Sequence, residues 1–479
     1  MSSTDAGGKQ DGDLPSPASM QASAAAGDTA ANLQERPSPI SLATAFWYWL
    51  KLGFLSFGGP TGQIALMHTD LVENKRWISE HRFLHALNYC MVLPGPEAMQ
   101  LATYIGWLMH RTAGGIIAGT LFVLPSLLIL ILLSWIYLAF GDVPVVAGVL
   151  YGIKPAVVAI VLAAAVRIGS RSLKNRWLLL IAAVSFLLIT LPQLPFPLII
   201  GLAALAGAIG GKLAPQLFRP GGGHGAGQAS YGPALIDDDT PPPAHAAFGW
   251  ARLLRTSVIG IVIAALSLAL LLLAFGEHNP LVQMGWFFTK AALLTFGGAY
   301  AVLPYVYQGA VEHFGWLTGP QMIDGLALGE TTPGPLIMIV SFVGFVGGWT
   351  RELFGPMALF WSGCAGAVVA TFFTFLPSFV FILAGGPLVE ATRGDIRLTA
   401  PLTAITAAVV GVIVSLAVFF AVHVFHLDEA LPRWDWIAMA ITVAAAVALI
   451  RYKVGTIRLI AACAVVGLVV SYLPLKTPI

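Results

Sequence analysis

Phe57-Gly58-Gly59-Pro60 stands inside one apolar run, and Pro94-Gly95-Pro96 stands inside the next. The same order returns in the second half as Phe296-Gly297-Gly298 and then Pro333-Gly334-Pro335. The register is constant: Gly58 to Gly297 and Pro94 to Pro333 are both 239 positions apart. Trp47 and Trp286, Lys51 and Lys290, Glu73 and Glu312, and Trp77 and Trp316 keep that spacing too. A gapless match at glycine, proline, tryptophan and charged positions reads as duplication of one unit. Glycine and proline interrupt helices, yet here they sit where a membrane helix should be continuous. An interrupted helix leaves N–H and C=O groups unpaired, which in lipid is costly unless protein or a water-filled cavity satisfies them. Corresponding interruptions in two halves point to a transporter's substrate site.

Composition sets the class. The 479 residues are 57% hydrophobic and 10% charged, against about 25% charged in soluble domains. The chain is expected to be an all-α polytopic membrane protein. Its formal net charge of +2 gives no reason to expect a nucleic-acid partner. Cys90, Cys364 and Cys463 are scattered in apolar runs without metal-ligand spacing and read as small core residues. No metal or cofactor is expected. Residues 1–42, rich in Ser, Ala, Gly, Gln and Pro, read as a disordered tail. They lack the charged-then-apolar order of a signal peptide.

Apolar runs at roughly 43–66, 83–109, 114–139, 144–166, 177–191 and 196–211 make a first unit, 43–211. A connector over 212–250, with Gly221-Gly222-Gly223 and Asp237-Asp238-Asp239, reads as disordered and cytoplasmic. A linking helix falls in 251–282, with its run near 256–275, and a second unit occupies 283–479. That unit has runs near 283–307, 321–346, 355–384, 400–425, 436–450 and 457–473. The expectation is about 13 transmembrane helices in two inverted repeats with broken helices. The short last pair in each half falls below the roughly 20 residues a span needs. Past the core the register shifts: Leu124-Pro125-Ser126 matches Leu376-Pro377-Ser378 at an offset of 252.

Loop lysines and arginines set the orientation. By this count four basic clusters share the cytoplasmic side: Arg167 to Arg176, Lys212 to Arg255, Arg393 with Arg397, and Arg451 to Arg458. Lys75, Arg76 and Arg82 fall on the opposite side, against the rule. The conflict disappears if the first broken segment turns back instead of crossing.

Lys51 and Lys290 each precede their Phe-Gly-Gly by six positions. Each reads as a cation for an anionic substrate or as a lysine snorkelling to the interface. Glu97 follows the first Pro-Gly-Pro, and Glu330 precedes the second by three positions. The two are not repeat equivalents, since Met91 matches Glu330. Glu97 suits a helix N-terminus; a carboxylate beside the site would also serve proton coupling. Asp324 and Lys154, the latter in Gly152-Ile153-Lys154-Pro155, are similar candidates. Helices restarting after each interruption aim free N–H groups and a positive dipole end at it, an anion site without a side chain. Gly115 with Gly119 and Gly344 with Gly348 read as packing pairs.

The Phe-Gly-Gly-Pro motif at 57–60, Pro-Gly-Pro at 94–96, Phe-Gly-Gly at 296–298 and Thr-Pro-Gly-Pro at 332–335, around a linker, resemble the chromate ion transporter family in its long, two-domain form. The resemblance runs from Phe46 to about Leu473. It implies a multi-pass protein of the bacterial inner membrane that exports chromate and gives resistance, with competition from sulfate, a similar dianion. The substrate-binding set is then Lys51, Phe57, Gly58, Gly59, Pro60, Pro94, Gly95, Pro96, Glu97, Lys154, Lys290, Phe296, Gly297, Gly298, Glu330, Pro333, Gly334 and Pro335. Ala299 stands where the first half has Pro60, so the two breaks need not share one geometry. Partners are the oxyanion and membrane lipid, and a homodimer is compatible with this plan. No Gly-x-x-x-x-Gly-Lys-Ser/Thr loop is present, so transport should be secondary. Competing readings are a passive oxyanion channel, an uptake system for sulfate-like dianions, and a membrane-embedded enzyme. The enzyme would need a nucleophile–base or metal cluster, and no His-Glu-x-x-His occurs.

Overall fold

Each Gly/Pro-marked segment folds as two short helices separated by a non-helical break. The computed structural model describes residues 37–141, 143–191, 194–218, 231–241, 243–296, 298–391, 399–426 and 434–472. In the first half α1 (Leu42–Leu55) ends at Ser56, and α2 (Gly59–His68) starts after Gly58. α3 (Glu80–Val92) ends before Pro94, and α4 (Glu97–Phe140) starts after Pro96. Then come α5 (Pro144–Ser172), α6 (Arg176–Thr190) and α7 (Phe196–Leu213). α8 (Trp250–Phe275) links the halves. The second half repeats the plan with α9 (Pro280–Leu293), α10 (Ala299–Tyr307), α11 (Gly319–Thr331) and α12 (Ile339–Thr350). It ends with α13 (Leu359–Ala391), α14 (Thr399–Phe425), α15 (Trp436–Ile450) and α16 (Thr456–Tyr472). α4 is two helices: His110 and Arg111 leave helical geometry, Arg111 at φ 58°. Its first part therefore corresponds to α12 and its second to α13.

The repeat extends to single hydrogen bonds. α2 runs into a π-helical turn, Thr69–Asn74, and α10 into Gln308–His313, 239 positions on. Lys75 N–H donates to Asp70 O at 2.9 Å and Trp77 N–H to Leu71 O at 2.7 Å. Their equivalents, Phe314 to Gly309 and Trp316 to Ala310, are both 2.8 Å. The glycine pairs pack as their spacing predicts. A Cβ on Gly344 or Gly348 would strike the backbone of Gly366 or Ser362, and one on Gly119 the Thr103 hydroxyl and the Phe379 ring.

The central linker binds back onto the first half. Leu235 N–H donates to Arg76 O at 2.9 Å, Ile236 N–H to Trp77 O at 3.1 Å, and Ser79 N–H to Ile236 O at 3.0 Å. Ser79 Oγ donates to Asp238 at 2.6 Å, and the Arg82 guanidinium to the Thr240 carbonyl. The His245 ring bonds the Trp107 carbonyl at 2.9 Å. Burial there lowers the His245 pKa below its ordinary value, keeping the ring neutral. The His110 ring bonds the Ile40 carbonyl at 2.7 Å. Ile40, 76–82 and 107–110 therefore share the linker's face. This corrects the span count, which puts Lys75, Arg76 and Arg82 on the opposite face. It also shows that composition misjudges 231–241: backbone pairing orders a segment whose residues look like connector. Residues 219–230 lie outside the described set.

The corresponding ends of the second half gather elsewhere. α8 has 26 residues and is about 39 Å long, so Phe275 lies far from Gly249. The Phe275 ring meets Phe354 at 6.1 Å. Arg351 donates to Phe314 O at 2.7 Å and Gly315 O at 3.1 Å.

The molecule is a multi-pass, all-helical membrane protein. Among the described residues, six helices are long and apolar enough to cross a membrane: Glu97–Phe140, Pro144–Ser172, Phe196–Leu213, Trp250–Phe275, Pro356–Ala391 and Ala400–Phe425. Four shorter apolar helices accompany them: Arg176–Thr190, Leu336–Thr350, Trp436–Ile450 and Thr456–Tyr472. The count of 13 differs because four of its apolar runs are the broken segments, whose halves have 9 to 14 helical residues where α1, α2, α3, α9, α10, α11 and α12 are concerned.

Candidate functional site: a junction of four helix breaks

The breaks satisfy one another across the halves. Gly95 N–H of the first Pro-Gly-Pro donates to Thr295 O, at the end of α9, at 2.8 Å. Gly334 N–H of the second donates to Ser56 O, at the end of α1, at 2.7 Å. Ser56 and Thr295 are repeat equivalents, as are Gly95 and Gly334, so the two bonds form one reciprocal pair. The Ser56 and Thr295 hydroxyls each cover a carbonyl of the preceding turn, Leu52 O at 2.6 Å and Ala291 O at 2.7 Å. Two glutamines complete the joint. Gln63 Nε2 donates to Gly334 O at 2.5 Å and Ser56 O at 3.1 Å. Gln100 Nε2 donates to Pro94 O at 2.8 Å and Ser378 Oγ at 3.2 Å. Only glycine suits the two Pro-Gly-Pro centres, at φ +125° for Gly95 and +99° for Gly334. A Cβ on Gly95 would collide with the Ser378 hydroxyl and the Gln100 amide, and one on Gly334 would lie 2.9 Å from Ser126 Cβ.

Within the broken segments, helix starts differ between the outer ends and the junction. The outer starts, those of α1, α3, α9 and α11, are capped by Ser41, Ser79, Asn279 and Thr318 side chains. The starts at the breaks, those of α2, α4, α10 and the turn Leu336–Met338 that leads into α12, have no side-chain cap. Their first N–H groups, with the positive ends of their dipoles, remain for another acceptor. Buried polar atoms beside them also lack partners: Gln100 Oε1, next to Pro94, and Ser126 Oγ, next to Gly334. This chemistry suits an oxyanion, whose several acceptor oxygens match converging donors.

Phe57, Gly58, Gly59 and Pro60 form the first break and the opening of α2; Pro94, Gly95 and Pro96 form the second. Phe296 and Gly298 border the third, and Pro333, Gly334 and Pro335 make the fourth. Gly297 lies outside the described residues. Glu97 opens α4, half-buried. Glu330 accepts from the Tyr300 hydroxyl at 2.5 Å, tying the end of α11 to the start of α10.

Three lysines go elsewhere. Lys51 sits on the exposed face of α1 with Trp47 and Leu55, and Lys290 on that of α9, its Nζ 5.4 Å from the Trp286 ring centroid. Apolar neighbours and a cation–π contact are what a snorkelling lysine finds. Lys154 pairs with Asp324 at 3.4 Å, on the stretch of α11 remote from its break.

Gln63, Gln100, Ser56 and Thr295 escape the sequence reading, as do Tyr300 and the serine pair. Ser126 and Ser378 carry a usable signal, since Leu-Pro-Ser recurs in both halves. Gln63 and Gln100 have Val302 and Ile339 as repeat equivalents, so no repeat argument finds them.

The model of the chromate transporter family matches residues 43–208 and again 282–468. The chain belongs to this family. It is similar to a chromate transport protein of Pseudomonas aeruginosa, 34% identical over 80% of this chain and 82% of that protein. It is 29% identical to a chromate transport protein of Cupriavidus metallidurans, over 82% of this chain and 86% of that one. A probable chromate transport protein of Synechococcus elongatus is 29% identical over 81% and 86%. These relatives are named as transport proteins, not enzymes. No solved structure matches the chain. The family match leaves out 209–281, where the linker and α8 lie, and takes in all four breaks.

Proposed function

We propose that this protein is a secondary transporter that exports chromate, and competitively sulfate, across the bacterial inner membrane and so confers chromate resistance. The anion binds at the junction of the four breaks, held by backbone N–H groups. The reciprocal Gly95–Thr295 and Gly334–Ser56 bonds carry this reading, because they bring four uncapped helix starts from both halves to one place. Names of the relatives support chromate as the substrate. Two half-helix ends supply about one unit of positive charge, and four supply about two, enough for a dianion without Lys51 or Lys290.

The halves are inverted, with the linker cytoplasmic. Each half enters the membrane with its two broken segments as re-entrant pairs, the first half from the linker face and the second from the far end of α8. The contacts of Ile40, 76–82 and 107–110 with one face, and of Phe314 and Phe354 with the other, support this.

Uptake of labelled chromate into everted vesicles, energised and de-energised, tests the function. Accumulation should require energisation and this protein, and unlabelled sulfate should compete. Equilibration without accumulation identifies a channel instead. Cysteines introduced at Asp238 and Glu277 should label from opposite sides; labelling from one side ends the inverted arrangement.

A further inference from the structure

Lys154 and Asp324 form an ion pair between the halves, Nζ to Oδ2 at 3.4 Å. The Tyr137 hydroxyl donates to the same Oδ2 at 2.9 Å. The other oxygen, Oδ1, is buried and has no hydrogen-bond partner. Asp324 is enclosed, its side chain 4% exposed, whereas that of Lys154 is 32% exposed. The cation can be reached and its counter-ion cannot. A buried carboxylate with one bare oxygen is an expensive way to hold two helices.

The repeat-equivalent contact is built from other groups. The repeat equivalent of Asp324 is His85 and that of Tyr137 is Val389. The His85 ring bonds the Val389 carbonyl at 2.9 Å. The same helices meet there by this hydrogen bond and by an Arg82–Glu390 pair at 3.9 Å, and Thr406 stands where the first half has Lys154.

We infer that Lys154 is a second anion station, and that a chromate-class oxyanion binds it only by displacing Asp324, which takes up a proton. This rests on the chromate reading above and goes beyond it in naming the station and its coupling. The step balances. The anion gains the Lys154 ammonium, Asp324 binds one proton from the solution open to the site, and release of the anion returns that proton. A dianion then travels with one proton and one net negative charge, so an inside-negative membrane potential drives it outward. Lys154 and Tyr137 are the groups that act on Asp324. Tyr307 and His423 border Gly319, five positions away on α11, and Cys463 of α16 faces Gly152 of α5.

The test uses the full-length protein in lipid nanodiscs, with equilibrium dialysis of labelled chromate between pH 6 and pH 9. Wild-type affinity should fall by up to about tenfold per pH unit from the protein's own proton. Chromate's own protonation affects every variant alike. D324N should bind at pH 8.5 at least as tightly as wild type at pH 6.5, with the protein's share of the pH dependence gone. K154M should lose one of the two bound chromates, the pH-dependent one, and keep the one at the junction. D324N with the wild-type pH profile overturns the exchange. In case D324N does not fold, calorimetry of wild type at pH 8.5 in two buffers of different ionisation heat counts the proton directly. Uptake near one proton per chromate supports the exchange, and zero overturns it. Failure of wild type to bind chromate at any pH overturns the chromate reading itself, and this inference with it.

Discussion

The two halves bring the same backbone to the junction and different side chains. Both offer a carbonyl at 56 or 295, a Pro-Gly-Pro N–H at 95 or 334, and two uncapped helix starts. Each half has a carboxylate beside a break, but at different positions: Glu97 follows the first Pro-Gly-Pro, where the second half has Leu336, and Glu330, bonded to Tyr300, precedes the second, where the first half has Met91. Only the first supplies glutamines, Gln63 and Gln100. On the proposed reading, the duplicated backbone binds the anion and the divergent side chains tune each half.

The largest effects should fall equally on both halves. Gly95→Leu and Gly334→Leu should each abolish chromate export while leaving protein in the membrane. Each adds a side chain at positive φ against Ser378 or Ser126 and so displaces the backbone N–H that bonds the other half. Gly58→Leu should also fail, since φ +85° imposes about 1–3 kcal/mol of strain on a residue with a side chain. Normal chromate protection by a well-expressed Gly95 or Gly334 variant would show that these breaks are packing.

An intermediate effect should separate the halves. Glu330→Gln should slow transport, since glutamine still accepts from the Tyr300 hydroxyl but can carry neither a proton nor a negative charge at the junction. Met91→Gln, at the equivalent position, should stay close to wild type. Equal losses would mean that the Glu330 carboxylate has no role of its own at the junction.

Smaller still is the expected cost of the glutamines. Gln63→Ala should lower stability by about 1–3 kcal/mol, the penalty for buried carbonyls losing a donor. Gln100→Ala should cost less, because its amide bridges Pro94 and Ser378 while its oxygen is already unpaired. Thermal unfolding followed by tryptophan fluorescence measures both, and a reversed order would move the weight of the joint from Gln63 to Gln100.

The smallest effect tests the outer face. Lys51→Met and Lys290→Met should both transport like wild type, because methionine keeps the apolar stem on an exposed face. Loss of vesicle transport in Lys290→Met, with partial activity in Lys290→Arg, would return that lysine to the anion site.

The sequence alone determined the duplication, the membrane class and the positions of the four breaks. Glycine and proline act on the backbone locally, so their effect is legible without knowing the neighbours. A gapless offset of 239 between halves preserves that local effect twice. The family was legible for the same reason, since its motifs are these breaks. What depends on which surfaces meet was decided by tertiary structure. Lys51 and Lys290 share a register with the breaks but face away from them, and register carries no information about facing. Gln63 reaches Gly334 across 271 positions, a pairing no local pattern encodes. The linker's apparent disorder and the misplaced Lys75–Arg82 loop were resolved together by the hydrogen bonds around Ile78 and Ile236. Backbone pairing of that kind leaves no mark on composition, because every residue carries the same donor and acceptor.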